Sequence, residues 1–220
     1  MSKGKAAIAE GDFEMILIYA FSNQWGTNIS HRTLLELQKL LKNNISPLNQ
    51  GEMSQSDKGV LNSKSSQGEI EVLSPPFSRE GRVGFDFKLI YFDPKSFFQK
   101  YIAHNDYDLI IGLGDMYGDF SKIRIETQAK NAYNNQPIYP FSPILIDLSI
   151  PLIENYDSNN FAISANMATY NSNWLAYSIQ LHIDQKHLDT KQIFLHLPKK
   201  SNASFIASQI KSLLEINNII

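Results

Sequence analysis

Three residue types that together can carry nucleophilic catalysis occur in the order Glu126, Ser172, His196. Ser172 lies where a polar turn, Ser164-Ala165-Asn166-Met167-Ala168-Thr169-Tyr170-Asn171, runs into a segment with helical spacing. His196 sits inside the apolar, strand-like Ile193-Phe194-Leu195-His196-Leu197-Pro198. A hydroxyl at a helix start is favoured as an anion by the helix amides and dipole, and an imidazole can take its proton. Glu126 ends the short run Ile123-Arg124-Ile125-Glu126. Its carboxylate would orient the imidazole and stabilise its charged form. Each residue also has a plainer use: serine caps helices, a strand histidine can be a core residue with a satisfied ring, and an acid ending a strand is commonly at the surface. The rest of the chain has to decide between these uses.

Other chemistries are less well supplied. The chain has no cysteine, which removes disulfides, thiolate metal sites and a cysteine nucleophile. His31, His104, His182 and His187 are scattered and read as solvated surface. The spacing of His182 and His187 misses that of a helical ligand pair, so no metal site is expected. Gly112-Leu113-Gly114-Asp115-Met116-Tyr117-Gly118 is partly like a dinucleotide-binding turn, but its third glycine comes late and a strand follows it. As a loop after a strand it remains a candidate pocket wall. No cofactor is expected.

With 220 residues, 43% hydrophobic and 19% charged, the chain has the composition of one soluble domain. A net charge of -2 gives no reason to expect nucleic acid or an anionic membrane as partner. No apolar run approaches the ~20 residues of a membrane span. Met1 to Glu14 lacks the apolar core of a secretory signal and reads as a loose leader, so a cytoplasmic protein is expected.

The elements that must position the three residues follow from periodicity. Met15 to Tyr19, Phe85 to Phe92, Asp108 to Gly114, Ile123 to Glu126, Pro143 to Leu148, Phe161 to Ser164 and Gln192 to Leu197 read as strands, with a further short one at Ile70 to Leu73. Helices are expected around Leu34, Leu37, Leu40 and Leu41, after Pro94, over Ser172 to Ile183, and from about Asn202 to Ile216. Residues 43–68, rich in Ser, Asn, Gln and Gly, are too polar to bury a core and read as a disordered insertion. Alternating strands and helices imply a single α/β domain, a three-layer sandwich around a mostly parallel sheet.

The three places together resemble the pyroglutamyl peptidase I (pyrrolidone-carboxylate peptidase) family. Its Glu-x-x-Ala-x-Asn signature is matched by Glu126-Thr127-Gln128-Ala129-Lys130-Asn131. Its nucleophile segment, approximately Ser-Asn-x-Ala-Gly-Thr-Phe-x-Cys-Asn-x-x-x-Tyr, is similar to Ser164 through Tyr177, with Ser172 at the cysteine's place. Its Phe-x-His-x-Pro is matched by Phe194-Leu195-His196-Leu197-Pro198. Weaker echoes lie in Ala20-Phe21, Trp25-Gly26, Asn28-Ile29-Ser30 and Gly112-Leu113-Gly114.

The resemblance implies a phosphorylase/hydrolase-like α/β fold and removal of an N-terminal pyroglutamyl residue from a peptide. Ser172 would be the nucleophile, His196 the general base and Glu126 the orienter. Phe21 and Trp25 would flank the lactam ring, and Gly114, Asp115, Asn166 and Thr169 would complete the substrate site. A peptide with a blocked N-terminus is the implied partner, and a dimer or tetramer the implied assembly. The departures are specific. A serine cannot be held as a preformed anion as a cysteine can, so it must lose its proton during attack. The family's arginine after the signature has no counterpart in residues 132–139, and Asp115 brings negative charge where glutamine is usual. Two alternatives therefore stand beside an active peptidase. One is an inactive relative that binds a peptide or protein end, and the other is a cysteine peptidase whose natural cysteine has been replaced by serine.

Overall fold

The computed structural model describes residues 15–43, 83–91, 93–118, 120–150, 153 and 155–220. The expected leader, the strand at Ile70 to Leu73 and residues 44–68 of the expected insertion lie outside them. The chain forms β1 (Met15–Phe21), α1 (Ile29–Asn43), β2 (Gly84–Ile90), α2 (Pro94–Tyr101) and β3 (Leu109–Met116). It continues through β4 (Ile123–Glu126), β5 (Gln128–Lys130), β6 (Leu145–Asp147) and β7 (Phe161–Ser164), and ends with α3 (Asn171–Lys186), β8 (Lys191–Pro198) and α4 (Ala203–Ile216).

Six strands make one sheet in the order β2-β1-β3-β8-β4-β7. Neighbours within β2-β1-β3-β8 are parallel, β4 meets β8 antiparallel, and β7 runs parallel to β4. The sheet is thus mostly parallel, with a reversed pair at one side. Alternation along β1 divides the core. Ile16, Ile18 and Ala20 pack with Leu34, Leu37, Ile210 and Leu214 of α1 and α4, whereas Leu17 and Tyr19 pack with Phe97, Leu175 and Ile179 of α2 and α3. Helices therefore cover both faces, which is why the inner strands are apolar throughout.

Periodicity does not announce β5. This three-residue strand pairs antiparallel with β6 as a separate two-stranded sheet. Too short to show an alternation, it is held instead by Asn173 of α3, whose Oδ1 accepts from the Lys130 amide (2.8 Å). Asn173 Nδ2 donates to the carbonyls of Lys130 (2.9 Å) and Ala132 (2.7 Å). α3 is consequently packed on two sides, by the large sheet and by β5–β6, and is buried at Asn173, Leu175 to Leu181 and Ile183. Its buried polar groups are paired accordingly. Gln180 Oε1 accepts from the Ser149 amide and hydroxyl, and Ser178 Oγ donates to the Trp174 carbonyl.

Candidate active site

His196 and Glu126 meet through strand register. The antiparallel pairing of β4 with β8 sets Arg124 against His196 and Glu126 against Phe194, so Glu126 and His196 are diagonal neighbours on one sheet face. Glu126 Oε1 lies 2.8 Å from His196 Nδ1, with the carboxylate fully buried and the imidazole 7% exposed. An ionised carboxylate only accepts, so Nδ1 carries the ring proton and Nε2 is left with its lone pair. The other carboxylate oxygen, Oε2, is buried without a hydrogen-bond partner among the described residues. The imidazole ring is thus the main compensation for the Glu126 charge.

Ser172 reaches the same place from the other direction. On the parallel ladder of β3 with β8, Gly114 pairs with His196. A Cβ at Gly114 would stand 3.0 Å from Ser172 Oγ and 3.0 Å from Phe194 Cζ, so glycine lets the start of α3 come down onto β3 beside the histidine. No hydrogen bond joins Ser172 Oγ to His196, so of the expected triad only the Glu126–His196 contact is made. Ser172 is the second residue of α3. Tyr170 occupies the cap position without a side-chain hydrogen bond to the helix, so among the described residues no side chain caps the first-turn amides. Those amides and the helix dipole are available to a developing negative charge.

Ser172 opens into a cleft of about 840 Å³. Phe21, Asn28, Asp115, Tyr133, Tyr170, Asn171, Arg32 and Lys199 are among its lining residues. Of the residues singled out in the sequence, Ser172, Phe21 and Asp115 line this cleft, whereas Gly114, His196 and Glu126 do not line it and adjoin Ser172 through the Gly114–His196 pair. Trp25 is 73% exposed and does not line it. Asn166 and Thr169 lie in the exposed turn before α3. Asn166 Oδ1 accepts from Lys130 Nζ (3.0 Å), and the Thr169 carbonyl accepts from the Asn134 amide (3.2 Å). In the same turn Ala168 adopts φ 60°, where the resembling segment has glycine.

Two expectations change. Asp115 lines the cleft, but its charge faces the start of α1: Oδ1 accepts from the Ser30 amide (2.9 Å) and from Asn28 Nδ2 (3.5 Å). It acts as an external cap, where the positive end of a helix favours an acid. His31 is not solvated surface. Its ring packs over Gly26, and its Nδ1 lies 2.6 Å from Ser22 Oγ. The same Ser22 Oγ lies 2.9 Å from the Asn23 carbonyl, which ties the ring to the loop after β1. Partial burial lowers the His31 pKa. His182, likewise half-buried, stacks edge-on against Phe98.

Sequence reasoning missed the aromatic rim, Tyr91, Tyr117, Tyr133 and Tyr170, together with Arg32 and Lys199. They come from six separate places along the chain, and only Tyr117, in the glycine turn after β3, and Tyr170, in the turn before α3, lie in stretches the sequence singled out. Tyr133 had a usable signal, since it stands in the stretch after Asn131 where the family's arginine is absent. Its hydroxyl donates to Asn171 Oδ1 (2.9 Å), next to Ser172.

No family model matches the chain, and no curated protein matches it in sequence. Solved structures do. The pyroglutamyl peptidase I of Bacillus amyloliquefaciens superposes with a TM-score of 0.62 over 94% of this chain and 93% of its own, at 17% identity. The chain has the fold of the pyroglutamyl peptidases. The pyrrolidone carboxyl peptidase of Thermococcus litoralis gives 0.62 over 93% of each chain at 13% identity. A mutant pyrrolidone carboxyl peptidase of Pyrococcus furiosus gives 0.61 over 92% of this chain and 97% of its own, at 16% identity. Among the described residues, no helix is long and apolar enough to cross a membrane.

Proposed function

We propose that the chain is a hydrolase of the pyroglutamyl peptidase type, removing an N-terminal pyroglutamyl residue from peptides, with Ser172 as nucleophile. The observation that carries this reading is the buried Glu126–His196 pair beside the Ser172 end of α3. In the proposed reaction, Ser172 Oγ attacks the pyroglutamyl carbonyl while His196 Nε2 takes the hydroxyl proton. Glu126 stabilises the resulting imidazolium, and the uncapped first-turn amides of α3 receive the oxyanion. His196 then hands the proton to the departing amine, which leaves a pyroglutamyl ester on Ser172. Water, deprotonated by His196, hydrolyses the ester and restores the hydroxyl.

The lactam carries no charge, so its recognition rests on apolar contact and backbone hydrogen bonds, with Phe21 at the cleft wall. A cytoplasmic setting and a peptide with a blocked N-terminus complete the reading. Dimers or tetramers are the assemblies it allows.

The test is release of a fluorescent amine from its pyroglutamyl amide by the unaltered chain, by Ser172→Cys and by His196→Ala. Activity that is lost in His196→Ala, with the fold retained by circular dichroism, supports the assignment. Activity gained only in Ser172→Cys, and dependent on His196, identifies an intact pocket silenced by its serine. A folded protein inactive in both forms refutes a peptidase and leaves a peptide-binding relative.

A further inference from the structure

The cleft beside Ser172 is more cationic than the recognition of a neutral lactam requires. Arg32, from the first turns of α1, and Lys199, directly after β8, both line it. Among the described residues, neither makes an ion pair. Among the described residues Asp115 is the only acid in the lining, and its Oδ1 is already engaged by the Ser30 amide and Asn28 Nδ2.

The position of Lys199 is set by the sheet. β3 and β8 end at the pair Met116–Pro198, and Tyr117 and Lys199 are the next residues on each strand. Lys199 Nζ lies 5.1 Å from the centre of the Tyr117 ring. Each residue stands three positions beyond the Gly114–His196 pair, about 10 Å along a strand at ~3.3 Å per residue. An extended peptide with its scissile carbonyl at Ser172 covers that distance in its next three residues.

Resting on the peptidase reading, we infer that the cleft selects peptides bearing a carboxylate within three residues on the leaving side of the scissile bond. Arg32 and Lys199 receive that carboxylate. It can come from an acidic side chain or from the free C-terminus of a short peptide, and both offer the same two oxygens. The Lys199 ammonium lies over the aromatic face of Tyr117 at the cleft lining, and the exposure of both residues keeps the attraction modest and sensitive to salt.

Four peptides separate the possibilities: pyroglutamyl-Ala-Ala amide, pyroglutamyl-Glu-Ala amide, pyroglutamyl-Ala-Ala with a free carboxylate, and pyroglutamyl-Lys-Ala amide. kcat/KM is measured at about 50 mM and about 500 mM salt, for the unaltered chain and for the double variant Arg32→Gln/Lys199→Gln. The expected result is a preference of roughly fivefold to tenfold for at least one carboxylate peptide over the neutral amide at low salt. It should fall below about twofold at high salt and in the double variant. Which of the two carboxylate peptides gains identifies the source. Equal rates, a preference for the lysine peptide, or a preference that survives in the double variant would overturn the inference while leaving the peptidase assignment intact. If no peptide is cleaved, calorimetric titration with the same four reads the same ratio. A carboxylate preference in binding without cleavage refutes the peptidase and keeps the selectivity, and neither cleavage nor binding refutes both.

Discussion

The two halves of the candidate site are built differently. Glu126 and His196 lie on adjacent strands of the central sheet, are buried, and are brought together by strand register and joined by one hydrogen bond. The opposite half is a rim of loop residues, with Tyr117 77% and Tyr170 64% exposed. Between them Ser172 belongs to both: its helix is anchored in the core through Asn173, yet its hydroxyl opens into the cleft. The difference teaches where each kind of fault should appear. A change in the buried half should damage chemistry or folding, whereas a change at the rim should be absorbed by solvent and mobile side chains.

The largest effect is expected at Glu126. Glu126→Gln keeps the shape but removes the charge that stabilises the imidazolium, and can turn the ring to the wrong tautomer. Hydrolysis, measured as kcat, should fall by about 10² to 10⁴-fold while the melting temperature moves little. Next comes Asn173→Ala, which takes the side-chain partner from the Lys130 amide and the Ala132 carbonyl in a part-buried setting, while the Lys130 carbonyl keeps the Ala132 amide. It should cost about 2–4 kcal/mol by denaturant titration and lower activity in proportion as β5 loosens.

Gly112→Ala tests the packing under the site without touching it. Its new Cβ would fall 2.5 Å from Phe194 Cδ2 and from the Tyr19 hydroxyl, both in side chains that are fully buried. A loss of about 1–3 kcal/mol is expected. In the rim the sign reverses. Ala168 sits at φ 60°, so Ala168→Gly should stabilise by roughly 0.5–1 kcal/mol, and a loss would show that the turn is held by its methyl group.

The smallest effect is a pH dependence. The lowered pKa of His31 means that the unfolded chain binds the proton more readily than the folded one. Stability from this group is therefore complete above the ordinary histidine value near 6.5 and declines as pH falls through the lowered one. His182, also lowered by burial, acts in the same direction. Thermal melts from pH 7.5 down to about 5 should show a shallower decline for His31→Gln than for the unaltered chain.

Much of the fold was legible along the chain. Strands β1, β3 and β8 are apolar because both sheet faces are covered, and a run of Ile and Leu carries that information locally. The helices α1 and α4 show one apolar face because each has one side to solvent. Helix α3 was legible by its turn and by Leu175, Ala176 and Ile179, although it is buried on two sides. The three-residue β5 was not legible, because what stabilises it is Asn173, 43 positions away from Lys130.

For the site, the sequence by itself determined the chemistry on offer: an acid at a strand end, a histidine inside an apolar strand, a hydroxyl at a helix start, and the motifs that tie them to one family's pattern. Tertiary structure decided which atoms meet. Register places Glu126 on His196 Nδ1, the missing side chain of Gly114 lets Ser172 approach, and the start of α1 occupies Asp115. It also assembled the rim from Tyr91, Tyr117, Tyr133 and Tyr170 with Arg32 and Lys199. The physical reason is range. Periodicity and capping act over a few neighbouring residues and leave a trace in sequence, whereas a cleft is made by residues far apart in the chain, whose only common property is where the sheet and helices put them.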